Sequence, residues 1–83
     1  MLNREKIEDK IFNIISNETG IFVEALQSDD FLKEDLFIDV IWGILIDIQS
    51  TFDIDIFESE IDTNKDYQIK DLVDLVCKKV FEE

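Results

Sequence analysis

The stretch Asp39-Val40-Ile41-Trp42-Gly43-Ile44-Leu45-Ile46-Asp47-Ile48-Gln49-Ser50-Thr51-Phe52 carries the pattern that decides the fold. At about 100° per residue, Ile41, Ile44, Leu45, Ile48 and Phe52 fall within one stripe, the mark of a helix with a single core-facing side. Asp39 suits its start, as an N-cap or as a first-turn acid at the positive end of the helix dipole. Trp42, Ile46 and Gln49 fall on an adjoining strip that the stripe does not need, so this strip is either an extension of the core or an exposed edge.

The flanking sequence supplies elements for this helix to pack against. Upstream, Ile7, Ile11, Ile14 and Ile15, with Phe12 beside them, recur at helical spacing. They predict a helix over residues 3–17, stopped by Gly20. Periodicity is lost between residues 20 and 38, which reads as a long ordered loop whose apolar residues, Ile21, Phe22, Val23 and Leu26 among them, dip into the core. Loops of this length inside compact domains are more often functional than not. Downstream, Asp53-Ile54-Asp55-Ile56 alternates but is too short and isolated to pair as a strand, and a short helix around residues 58–62 follows. Asp66 is a candidate cap for a last helix bearing Ile69, Leu72, Val73, Val76 and Val80, with Lys78 and Lys79 at its negative end. No repeat, low-complexity tract or boundary divides residues 1–83. The expectation is a single all-α domain: three main helices plus a short third one, with a long loop after helix one.

Composition restricts the chemistry. The chain has 83 residues, 21 acidic and 8 basic, with no histidine, no proline, one cysteine and a net charge of −13. A domain of this size hides only about 60–65% of the surface its unfolded chain exposes, enough for one modest core. A hydrophobic fraction of 46% is that of a folded domain, not of a disordered acidic tail. One cysteine makes no intramolecular disulfide. Arg4, Glu5, Lys6, Glu8, Asp9 and Lys10 interrupt the first isoleucines, unlike the apolar core of a signal peptide, and the expected compartment is the cytoplasm. Without histidine there is no Ser-His or Cys-His nucleophile and no His-ligated metal. The acidity disfavours nucleic acid. The fitting partners are basic patches on other proteins, or cations.

The order of elements and several motifs resemble the acyl carrier protein family of small acidic four-helix bundles. Phe52-Asp53-Ile54-Asp55-Ile56, followed by Glu58-Ser59-Glu60, resembles the family's Phe-Gly-Ile-Glu-Ile segment leading into helix three. Asp71-Leu72-Val73-Asp74-Leu75-Val76 is similar to its last helix, and Glu34-Asp35-Leu36 to the sequence before its attachment site. The family carries cargo on a phosphopantetheine arm attached to a serine in an Asp-Ser-Leu motif at the head of helix two. Here that stretch reads Asp35-Leu36-Phe37-Ile38-Asp39-Val40-Ile41, without a serine. An ungapped register from Phe52 sets Ile38 at the serine position, whereas matching Asp39 to the motif's aspartate sets Val40 there. Neither has a hydroxyl, and Phe37 replaces the usual glycine of the turn. The resemblance therefore implies a carrier-like domain without its phosphopantetheine cofactor.

Matched in the same way, Trp42, Ile46 and Ile56 fall where the family presents apolar contacts to partner enzymes; as residues of a small apolar bundle they equally suit the core. Helix two keeps only Asp39 and Asp47 as acids, so docking there relies more on apolar burial than on charge, and self-association through this helix is an equally simple outcome. Residues 20–66 hold 13 acids against two lysines. This charge either keeps the surface solvated or steers the domain toward a basic partner. Asp62-Thr63-Asn64-Lys65-Asp66-Tyr67-Gln68-Ile69 echoes a calcium loop, but Tyr67 stands where the turn requires glycine and Val73 where it requires a bidentate glutamate, so no metal site is expected. Cys77 borders the apolar face of the last helix and reads as an inert thiol. No catalytic residue is expected. Two functions follow: a non-catalytic carrier-like module docking on enzymes of fatty-acid, polyketide or peptide assembly, or an acidic inhibitor or immunity-type protein blocking a basic enzyme such as a nuclease.

Overall fold

In the computed structural model, residues 2–81 are described. The chain forms three α-helices, α1 (Arg4–Thr19), α2 (Trp42–Phe52) and α3 (Ile69–Phe81), with one turn of 3₁₀ helix in each connection, Val23–Ala25 and Glu58–Glu60. No strand forms among the described residues, where a lone bridge pairs Phe31 with Gln68. The all-α expectation holds. The short helix expected around residues 58–62 is only the single 3₁₀ turn.

The side chains that begin and end α1 make its bounds clear. Asn3 Oδ1 accepts the Lys6 N–H at 2.9 Å, an N-cap that serves one of the first turn's unpaired donors. Gly20 ends the helix in the left-handed region at φ 78°, its N–H donating to the Ser16 carbonyl at 2.8 Å. Ile7, Ile11 and Ile15 are fully buried, and both α2 and α3 pack on this helix.

α2 begins later than its acid suggested. Asp39 and Val40 lie outside the helix, Ile41 occupies the N-cap position, and no side chain caps it. Three constraints upstream delay the helix: Phe37 is left-handed at φ 58°, the Ile38 N–H donates to the Leu32 carbonyl at 2.9 Å, and Ile38 and Ile41 both enter the core. Beyond the helix, the Gln49 side chain bridges two segments. Its amide nitrogen donates to the Leu45 carbonyl at 3.3 Å and its amide oxygen accepts the Ile56 N–H at 2.9 Å. The alternating run after α2 is thus held as a loop, with Ile56 directed inward.

Asp66 does not cap the last helix. Its carboxylate accepts the N–H groups of Lys33 (2.8 Å) and Glu34 (3.2 Å), more than thirty residues upstream. Asp71 takes over at α3, reaching back to accept the Gln68 N–H at 2.9 Å. The first N–H groups of α3 find acceptors in the long loop: Ile69 donates to the Asp30 carbonyl (3.1 Å) and Lys70 to that of Ser28 (2.8 Å), while the Leu32 N–H returns a bond to the Tyr67 carbonyl (2.8 Å). The loop is ordered as expected, and Leu26, Leu32, Leu36 and Ile38 are buried, but Phe22 is directed outward. Lys79 at the end of α3 pairs with Glu60 at 2.7 Å and lies over the Phe57 ring, 5.8 Å from its centroid.

Two predictions test these ties. Asp66→Ala leaves two loop N–H groups without their acceptor and is expected to cost about 1–2 kcal/mol in urea unfolding, with Asp66→Asn losing less. The Lys79 hydrogen bond, aided by the Phe57 N–H, holds the Glu60 carboxyl below its usual range. Its stabilising effect is therefore present above the unfolded-state pKa and lost as pH falls through the lowered native value. A carboxyl-carbon NMR titration is expected to show a lowered midpoint for Glu60 that rises in Lys79→Met.

Candidate functional site

The outer side of α2 and the turn leading into it expose apolar side chains that no other element covers. On α2, Ile41, Ile44, Leu45 and Ile48 are buried, whereas Ile46 is 61% exposed with Asp47 exposed beside it. Trp42 stands one helical turn before Ile46, half-buried and packed against the core. The adjoining strip therefore divides. Trp42 belongs partly to the core, the Gln49 amide is spent on local structure, and Ile46 faces solvent. Asp39 is exposed ahead of the helix. Ile56 is only 5% exposed and is not available to a partner. Its burial follows from the Gln49 bond that turns the loop inward.

Two further residues belong to this surface and were not among the expected contacts. Phe37 is 83% exposed and Val40 70% exposed. Between residues 36 and 39 burial alternates, with Leu36 and Ile38 in and Phe37 and Asp39 out. The outward direction of Phe37 follows from its left-handed backbone, where its N–H donates to the Lys33 carbonyl at 3.1 Å and the Ile38 N–H to that of Leu32 at 2.9 Å, closing the helical turns before it. Leu36-Phe37-Ile38 is an unbroken apolar run, so the residue pattern does not mark Phe37 as the one that faces outward. Its backbone conformation is costly: a left-handed φ on a bulky side chain carries a penalty of about 1–2 kcal/mol. An exposed ring recovers little of it through packing.

The turn, the end of α1 and Ile21 together line an open groove of about 650 Å³. Its apolar walls are Ile21, Leu36, Phe37, Ile38 and Val40, and its charged groups are the carboxylates of Glu18 and Asp39. Glu18 leans over the first turn of α2, so close that a Cβ on Gly43 would lie 2.7 Å from its Oε1. A carboxylate there suits the positive end of the helix dipole. The groove's one hydroxyl is Thr19 Oγ1, which already donates to the Ile15 carbonyl at 2.8 Å and accepts the Ile21 N–H at 3.1 Å. Of the serines, Ser16 is engaged with the Ile21 carbonyl at 2.6 Å, and none lies between residues 36 and 41.

Elsewhere the titratable groups serve local structure. In the calcium-like segment, Asp62 Oδ1 accepts the Asn64 N–H, Asp66 serves the long loop, and the Lys65 ammonium lies 5.0 Å from the Tyr67 ring centroid. No cluster of three potential metal ligands occurs among the described residues. Cys77 is half-buried beside the Arg4 guanidinium, which is ion-paired to Asp74 at 2.7 Å. No helix among the described residues is long and apolar enough to cross a membrane. No family model matches the chain, and no curated protein is significantly similar to it.

The conformation of Phe37 yields a prediction that separates strain from packing. Phe37→Gly is expected to leave stability unchanged or to raise it by up to about 1 kcal/mol in urea unfolding, because glycine adopts the left-handed region without a Cβ clash. Leu36→Ala, one residue away but buried, is expected to cost about 2–4 kcal/mol.

Proposed function

We propose that this protein is an acyl-carrier-like docking module that does not carry cargo, and that it regulates or scaffolds an enzyme of fatty-acid, polyketide or peptide assembly. In this reading the three helices and the Glu58–Glu60 turn correspond to the family's four-helix bundle. The observation that carries it is the turn before α2. Phe37 has the left-handed conformation that suits the glycine usual in the family's turn. This favours the register in which Asp39 matches the motif's aspartate and Val40 the serine. Val40 is well exposed, as an attachment residue needs to be, yet it has no hydroxyl for a phosphate ester. The competing register assigns the position to Ile38, which is buried.

Docking is then the activity that remains, with no catalytic residue and no phosphopantetheine. Asp39, Trp42, Ile46 and Asp47 supply a mixed apolar and acidic face for a partner enzyme with a complementary basic and apolar surface, acting in the cytoplasm. The 13 acids against two lysines in residues 20–66 favour a basic partner and also support a second reading, an immunity-type inhibitor that covers a basic enzyme such as a nuclease.

One pair of measurements tests the proposal. Incubation with coenzyme A and a broad phosphopantetheinyl transferase is expected to leave the mass unchanged; a gain of one arm would overturn the loss of cargo. The unmodified protein is expected to compete with a loaded carrier protein for a ketosynthase or acyltransferase encoded beside it, and Ile46→Asp to weaken this competition about tenfold or more. Absence of competition, with tight inhibition of a neighbouring nuclease instead, would establish the second reading.

A further inference from the structure

We infer that the groove between the end of α1 and the 36–40 turn is a docking site for a basic amphipathic segment of a partner protein, anchored on Phe37. The inference goes beyond the proposed function, since it rests on the groove alone and holds whichever enzyme the protein meets.

Three observations carry it. Phe37 holds an exposed aromatic ring at the left-handed residue that closes the 32–36 turns, a position glycine fills without cost, while its neighbours Leu36 and Ile38 fill the core and the ring itself does not. Phe37 and Val40 form an apolar wall beside Ile21, so an incoming apolar side chain meets three surfaces that water otherwise covers. The charge at the rim is of one sign: Glu18 and Asp39 line the groove, and Glu34 and Asp35 are exposed on the same turn. The turn's one cation, Lys33, is turned away, its ammonium donating to the Thr63 carbonyl at 2.7 Å.

These features select the occupant. A second copy of the chain brings another net charge of −13 and the same acidic rim, and an anionic lipid surface or a nucleic acid is repelled likewise. A segment presenting an apolar side chain between lysines or arginines satisfies both the wall and the rim. Glu18 and Asp39 then pair with its cations while the apolar residue packs against Phe37.

The test is an isotope-edited NMR titration of the full chain with a designed twelve-residue amphipathic peptide of lysine and leucine, alongside a peptide in which glutamate replaces lysine. The lysine peptide is expected to shift the resonances of residues 18–21 and 36–40 first and most, and the glutamate peptide to shift none. Phe37→Gly, expected to fold at least as stably as the parent, is expected to weaken the lysine peptide by about tenfold or more. Glu18→Gln with Asp39→Asn is expected to weaken it further and to flatten its salt dependence. Phe81→Ser, which removes an exposed aromatic at the far end of α3, serves as the control and is expected to bind like the parent. Shifts spread over the acidic surface, equal affinity for Phe37→Gly, or sedimentation showing a dimer that Phe37→Gly dissolves would each overturn the inference. None of these outcomes bears on whether a biosynthetic enzyme is the partner, which the competition assay decides separately.

Discussion

The structure depends on a seam where the long loop meets the beginning of α3. Ile69 and Lys70 donate to the carbonyls of Asp30 and Ser28, Leu32 donates to Tyr67, and Asp66 accepts from Lys33 and Glu34. Each bond taken alone contributes only about 0.5–1.5 kcal/mol net. Their joint effect is larger in consequence than in energy. The first turn of a helix leaves N–H groups that need acceptors, and a loop that crosses a core leaves peptide groups that need partners. Here the two deficits satisfy each other, so a stretch without periodicity becomes a rigid wall of the domain and Leu32, Leu36 and Ile38 can be buried from it.

That seam determines what faces outward. With Leu36 and Ile38 both drawn in, the left-handed φ at Phe37, which closes the 32–36 turns, directs its ring to the opposite side and lets the chain turn toward α2. The cost of that conformation is borne at the surface and offset by the turn-closing hydrogen bonds to the Lys33 and Leu32 carbonyls, not by packing of the ring. The carboxylates of Glu18 and Asp39 give the groove beside Phe37 a negative sign.

The helices were legible in the sequence because their apolar spacing is strong and local. Ile7, Ile11 and Ile15 face the core as their period requires, as do Ile44, Leu45 and Ile48 and then Leu72, Val73 and Val76. Gly20 stops α1 as a residue free to adopt positive φ should. The acids were less legible. Asp39 and Asp66 both precede an apolar period and have the chemistry of caps, yet neither caps a helix: α2 begins beyond Asp39 with Ile41 at the N-cap position, and the Asp66 carboxylate binds N–H groups that the long loop brings to it. The exposed edge was half legible: Ile46 lies off the core stripe and is exposed, while Ile56 and much of Trp42 are drawn inward.

By itself, then, the sequence determined the all-helical class, the core faces, the absence of histidine chemistry, and the lack of a hydroxyl in the turn before α2. These depend on residue identity and short-range spacing, which chain order alone specifies. Only the tertiary structure decided where α2 begins, which acids serve the backbone, that Ile56 is core, and that Phe37 and Val40 stand at the rim of a groove. Each of these rests on hydrogen bonds and packing between segments distant in the chain, and a period counted along one segment carries no information about the segment it will meet.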